Sequence, residues 1–192
     1  MDRFRKATPK RRKIIASVAK YNDHRNDLII DFDNRCGYCN DIDVWRTVWF
    51  ELDHFVPKKY LKTIKDTDYS NLVYACRSCN NSKRAHWPTG NEFIHNQNNE
   101  GFIDPCEDNY DDQFYRCPDG KIMYHTELGK WMYYKLKFHK PQHEIIYRIE
   151  QLDSLIEDCE NLLSVIDSQI LKDRMLILYR EYRNYTKQLS SI

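Results

Sequence analysis

Three stretches decide how this chain reads: CGYC at residues 36–39, ELDHFVPK at 51–58 and NLVYACRSCNNSK at 71–83. The first and third each carry a CxxC pair, Cys36 with Cys39 and Cys76 with Cys79. Two knuckles of this spacing bring four thiolates together, which is how a tetrahedral all-cysteine zinc site is built. Metal binding then contributes directly to folding free energy. The chain has seven cysteines, an odd number that disfavours a disulfide framework. Cys106, Cys117 and Cys159 lack knuckle spacing and read as packing residues.

A structural zinc site alone does not need what lies between the knuckles. Asp53 and His54 are adjacent in Val44–Pro57, a run rich in β-branched and aromatic residues that reads as a strand. Asn71 opens a second short strand, Asn71–Ala75, and Asn80 follows the last knuckle cysteine, where a helix toward His86 is expected, ended by Pro88 and Gly90. Phosphodiester hydrolysis needs a nucleophilic water, a base for its proton and a cation to stabilise developing charge. Neighbouring strand residues point to opposite faces, so Asp53 can offer a hard oxygen to Mg2+ while His54 faces the attacking water. Asn80 supplies a second oxygen ligand, and the Asn71 amide could hold the imidazole in orientation and tautomer. Lys83, about one helical turn beyond Asn80, is placed to contact a phosphate oxygen.

Across residues 36–88 these features resemble the HNH endonucleases. The resemblance implies a ββα-metal, treble-clef-like core with a four-cysteine zinc site. Residue by residue, it implies His54 as general base, Asp53 and Asn80 as ligands of one Mg2+ or Mn2+, and Asn71 as the residue that orients the base. The spacing of nine from Asn71 to Asn80 and the CNxxK ending follow the family pattern. The last signature position is Asn80 instead of His, which leaves the choice of metal open. The DHFxPK and CNxxK blocks, with FIDPCED in the stretch from Phe102 to Gly120, are also similar to HNH proteins of prokaryotic antiphage systems, including the Septu-type nuclease subunit. That likeness implies an ATPase partner as well as DNA.

The length of 192 residues fits one domain plus an appended element. Charged residues make up 31%, and no apolar run approaches the roughly 18 residues of a membrane span. The basic start MDRFRKATPKRRK leads into no apolar signal region, so a cytoplasmic location is expected. The net charge of +1 hides a segregation: residues 1–20 hold eight basic side chains against one acidic, and residues 100–119 hold one against seven. The basic head, with Lys58, Lys59, Lys62 and Lys65, reads as a phosphate-contacting surface without sequence selectivity. The acidic run reads as a solvated face, or as a cover for the basic arm.

The expected organisation is α+β: a basic arm and helix over 1–35, a nuclease core over 36–88, an irregular acidic segment over 89–125 and C-terminal helices over 126–192. The first helix is expected over Pro9–Phe32, with a break near Asn22, and short strands around Phe114 and Ile122. Ile145, Ile149, Leu152, Ile156, Cys159, Leu163, Ile166 and Ile170 form a heptad repeat. It reads either as a hairpin against a last helix, Leu171–Leu189, or as a self-association or partner-docking coiled coil. Two other functional classes stay open at this level: a non-catalytic zinc module that binds nucleic acid or scaffolds, and an RNase.

Overall fold

The structure, a computed structural model, describes residues 2–13, 16–44 and 50–191. It mixes short strands with helices and divides into two units, Met1–Cys117 with Ile122–His139, and Pro118–Lys121 with Lys140–Ile192. The first unit contains β1 (Asp2–Arg3), α1 (Arg25–Asp31), β2 (Glu51–His54), β3 (Leu72–Ala75), α2 (Arg77–Lys83), β4 (Asn96–Gln97), β5 (Glu100–Gly101), β6 (Phe114–Arg116), β7 (Ile122–Tyr124) and α3 (Glu127–Leu136). The second contains α4 (Pro141–Leu163) and α5 (Gln169–Ser190). No described helix is long and apolar enough to cross a membrane.

The antiparallel pair β2–β3 lies at the centre of the first unit, with Asp53 opposite Val73 and His54 opposite Leu72. Every residue of β3 is buried, as its LVYA sequence favours. Of the expected strand Val44–Pro57, only Glu51–His54 forms one; residues 45–49 lie outside the described set. The helix expected to begin at Asn80 starts earlier, at Arg77, because the Cys76 sulfur caps it by accepting the Cys79 N–H at 3.4 Å. It stops at Lys83, where Arg84 turns to a φ of +47°.

The N-terminal helix is much shorter than expected. Among the described residues of Pro9–Phe32, helix is confined to a 3-10 turn at Tyr21–His24 and to α1; Ile14 and Ile15 lie outside the described set. Side-chain anchoring explains the extended segment. Arg5 is buried and donates to Asp111, to the Gly37 carbonyl and to the Pro105 carbonyl. Arg11 donates to the Leu72 carbonyl at 2.7 Å and to Asp104 at 2.9 Å. Six extended residues span up to about 20 Å, whereas the same six in a helix span only about 9 Å. Helical periodicity is thus overruled by arginines that reach separated partners on the core.

This corrects the reading of the head's arginines as phosphate contacts. Arg5, Arg11 and Arg12 are paired with Asp111, Asp104 and Asp31, while Lys6, Lys10, Lys13 and Lys20 remain exposed. The acidic segment is equally not a uniform solvated face, since Asp104 and Asp111 supply two of those pairs. Its apolar residues Phe102, Ile103, Tyr110 and Phe114 join the first unit's core. The strands expected near Phe114 and Ile122 form, and β6 sits between β1 and β7.

In the second unit, α4 and α5 pack as a helical hairpin. Leu152, Ile156 and Leu178 are buried between them, with Cys159, Tyr182 and Tyr185 packed alongside. The hairpin reading of the heptad therefore holds at Leu152, Ile156 and Cys159. Beyond Leu163 the helix breaks, and Ile166 and Ile170 are 51% and 82% exposed. Cys106 and Cys159 are packing residues, as expected.

Glu92 ties down the lysine-rich loop. Its carboxylate accepts from the backbone N–H groups of Lys62, Thr63 and Ile64 and from the Thr63 hydroxyl. Desolvation opposes its ionisation, but these donors outweigh it and hold the carboxyl below its ordinary 4.5. A depressed folded value means the contribution is complete above the unfolded value and is lost as pH falls through the folded one. Glu92→Gln is expected to lower the melting temperature at pH 7, with the gap to wild type closing as the pH is taken below about 4. Thermal melts across pH 3 to 8 check this.

Candidate active site

Cys36, Cys39, Cys76 and Cys79 are all buried, and their sulfurs lie within 4.8 Å of one another. Cys39 Sγ and Cys76 Sγ are 3.7 Å apart. A zinc tetrahedron with Zn–S near 2.3 Å has an S–S edge of about 3.8 Å, so the donor set fits that ion. Burial pushes the Cys39 and Cys79 thiols well up. Burial opposes ionisation of Cys36 too, yet bonds from the neighbouring sulfurs hold it well below the usual thiol value. Four crowded sulfurs cannot all ionise without a cation among them, and a divalent ion resolves that conflict. Gly37 is fixed by space, because a Cβ there would lie 2.6 Å from the Phe32 ring and 2.8 Å from Val73.

The first knuckle is held from far along the chain. The Gly37 carbonyl accepts from Arg5, the Tyr38 carbonyl from the Tyr110 hydroxyl at 2.8 Å, and the Cys39 carbonyl from Arg116 at 2.9 Å. Three successive buried carbonyls are thus satisfied by donors brought in by the N-terminal segment and by the 105–117 stretch.

Asp53 projects from β2 into the interior. Its Oδ2 accepts from the Tyr38 hydroxyl at 2.6 Å and pairs with Lys83 Nζ at 2.9 Å. Burial, with the Asp53 charge, pushes Tyr38 well above its ordinary value, so the phenol stays protonated and donates. Lys83 is fully buried and also donates to the His54 carbonyl at 2.9 Å. Its expected role as a phosphate contact is therefore corrected: an ammonium enclosed between Asp53 and the β2 backbone positions the carboxylate and cannot reach a substrate phosphate.

Asn80 donates through Nδ2 to Glu51 Oε2 at 2.7 Å, and Arg77 approaches the other Glu51 oxygen at 3.7 Å. Glu51 precedes Asp53 by two residues and so shares its strand face. It was missed in the sequence, although the i, i+2 spacing is a legible signal. The α2 helix meets β2 in two rungs, Asn80 on Glu51 and Lys83 on Asp53. The oxygens of Asp53, Asn80 and Glu51 are hard donors of the kind Mg2+ or Mn2+ takes.

His54 is buried. Its ring meets Tyr21 edge-on at 4.8 Å, and Nε2 lies 2.7 Å from the Asp66 carbonyl oxygen. A carbonyl can only accept, so Nε2 carries the proton and Nδ1 keeps the basic lone pair. Desolvation, reinforced by the Lys58 charge, lowers the His54 value below 6.5 against the opposing Asp66 bond, which favours the neutral imidazole near pH 7. Asn71 does not contribute this orienting bond. Its Oδ1 accepts from Val56 N at 2.8 Å and its Nδ2 donates to Val56 O at 3.0 Å. Asn71 thereby closes the base of the loop that carries Asp66, and acts on the ring only through that loop. Neither Asp66, a backbone acceptor, nor Tyr21 left a signal in the sequence.

Residues 36–86 match the family model described as HNH endonuclease. That match suggests a nuclease. No curated protein and no solved structure matches the chain.

Two stability outcomes follow from this geometry. Cys79→Ala should lose zinc and melt the first unit, read by elemental analysis together with circular dichroism; an unchanged melt with full metal content would refute the zinc assignment. Lys83→Met should destabilise the fold by about 3 to 5 kcal/mol in urea titration, because it leaves the buried Asp53 carboxylate without its counter-charge.

Proposed function

We propose that this protein is a divalent-metal-dependent endonuclease that hydrolyses DNA phosphodiester bonds, with β2, β3 and α2 as a ββα-metal core. The observation that carries the reading is the His54–Asp66 bond. It fixes the imidazole in the Nε2–H tautomer on the strand whose next residue back is a buried, oriented carboxylate. Together with the HNH match over residues 36–86, this supports a hydrolytic centre over a purely structural zinc module.

In the proposed mechanism His54 Nδ1 accepts the proton of the attacking water, and the Asp66 carbonyl steadies the imidazolium that results. Asp53 would hold Mg2+ or Mn2+ through Oδ1, since Oδ2 is occupied by Tyr38 and Lys83. Asn80 would add its amide oxygen, whose nitrogen is anchored on Glu51. A cation held there would supply charge stabilisation to the transition state, and cleavage would leave a 5′-phosphate. Lys58, over the Tyr21 ring that meets His54, together with exposed Lys59 and the exposed lysines of the N-terminal segment, would supply backbone-phosphate contacts. The resemblance of the DHFxPK, CNxxK and FIDPCED blocks to antiphage HNH proteins supports a role in prokaryotic defence beside an ATPase, in the cytoplasm.

Wild type is expected to nick or linearise plasmid with Mg2+ or Mn2+ and to be silent in EDTA. His54→Ala should lose at least about a hundredfold in rate with zinc content and melting retained. Cleavage by His54→Ala at the wild-type rate would sink the mechanism, and preferential cutting of RNA would move the substrate class.

A further inference from the structure

The bond from His54 Nε2 to the Asp66 carbonyl sets the tautomer and holds the far end of the ring. It restrains least the roll of the ring about its Cβ–Cγ bond, because Nε2 lies close to the line of that bond. The roll is also intrinsically loose, since the χ2 torsion of an imidazole is broad and roughly two-fold. Nδ1 stands further off the line, so the roll decides where its lone pair points. A single direction for Nδ1 therefore needs a restraint besides the Asp66 bond.

Tyr21 provides one. Its half-buried ring meets the His54 ring edge-on, with centroids 4.8 Å apart and planes at 68°, a favoured aromatic geometry that a rolling imidazole would lose. Tyr21 is itself held. The Lys58 ammonium lies 4.4 Å from the centre of its ring and pairs at 3.1 Å with the Asp66 carboxylate. The contacts form a closed circuit: imidazole to Asp66 carbonyl, Asp66 carboxylate to Lys58, Lys58 to Tyr21 and Tyr21 back to the imidazole. The 3-10 turn that presents Tyr21 is tied to the same loop one residue further on. There buried His24 donates from Nε2 to the Thr67 carbonyl at 3.2 Å and meets Tyr69 edge-on at 5.0 Å. Two adjacent loop carbonyls thus hold two imidazoles, and the separation of Tyr21 from Asp66 is set from both ends.

We propose that Tyr21 is a positioning residue for His54: its ring, clamped by Lys58, fixes the roll of the imidazole and so gives Nδ1 one direction. The consequence for water activation rests on the nuclease reading, whereas the restraint on the ring does not. Tyr21 acts only through His54, and its hydroxyl takes no part.

Two measurements on the full zinc-loaded chain test this, with zinc content and circular dichroism checking the fold of each variant. In plasmid cleavage, Tyr21→Ala is expected to lower the rate at saturating DNA by about ten- to a hundredfold while leaving the half-saturating DNA concentration unchanged. Tyr21→Leu, which refills the space without a flat ring, should be slow as well and carries the test if the alanine variant fails to fold. Tyr21→Phe should recover the rate lost in Tyr21→Ala. NMR relaxation of the His54 ring carbons, recorded without DNA or Mg2+, should show a rigid ring in wild type and Tyr21→Phe and a rolling ring in Tyr21→Ala and Tyr21→Leu. A leucine variant that cuts at the wild-type rate, or a phenylalanine variant as slow as alanine, overturns the proposal. If wild type cuts nothing, the nuclease reading falls by itself and the relaxation decides alone: an imidazole equally rigid in wild type, Tyr21→Ala and Tyr21→Leu overturns the restraint.

Discussion

Convergence of four cysteine sulfurs within 4.8 Å, in a fully buried pocket, is the constraint on which the first unit depends. Folding two CxxC knuckles around one centre leaves three successive carbonyls of the first knuckle pointing into the interior, and each needs a donor. Arg5, Tyr110 and Arg116 meet that need. To do so, the N-terminal segment runs extended over the core and the 105–117 stretch is drawn in behind the knuckle. Segments that look peripheral in the sequence become part of the four-cysteine cluster's support.

The same knuckle reaches the candidate site. Tyr38 lies between the first two cysteines of the cluster and donates to Asp53, while α2, capped by the Cys76 sulfur, carries Asn80 and Lys83 to the same strand. The four-cysteine cluster and the Asp53 carboxylate are therefore linked through single side chains. Burial makes that linkage stringent: an Asp53–Lys83 pair out of water persists only with good geometry and further bonds, which Tyr38 and the His54 carbonyl provide.

The His54 imidazole is set differently. Its orientation comes from a backbone carbonyl in the Lys58–Ser70 loop, and that loop is held at its base by Asn71 and in its middle by Glu92, which takes backbone N–H groups from residues 62–64. A region that reads as a polar lysine-rich loop is thus a rigid support. Its order follows from internal acceptors that satisfy its backbone, not from apolar packing.

The sequence by itself determined the knuckles and the β2–β3–α2 order, and offered Asp53, His54, Asn71 and Asn80 as candidates, because cysteine spacing, strand alternation and residue chemistry are local properties. It also determined the inner face of the C-terminal hairpin, whose 3.5-residue period is local as well. Tertiary structure alone decided that Arg5 and Arg11 are internal ties and not phosphate contacts, that Lys83 is buried against Asp53, and that Asp66 in place of Asn71 orients His54. Each of those outcomes depends on pairing charges or backbone groups distant in sequence. Periodicity carries no information about which arginine finds which carbonyl, and a backbone acceptor has no residue type by which to be recognised.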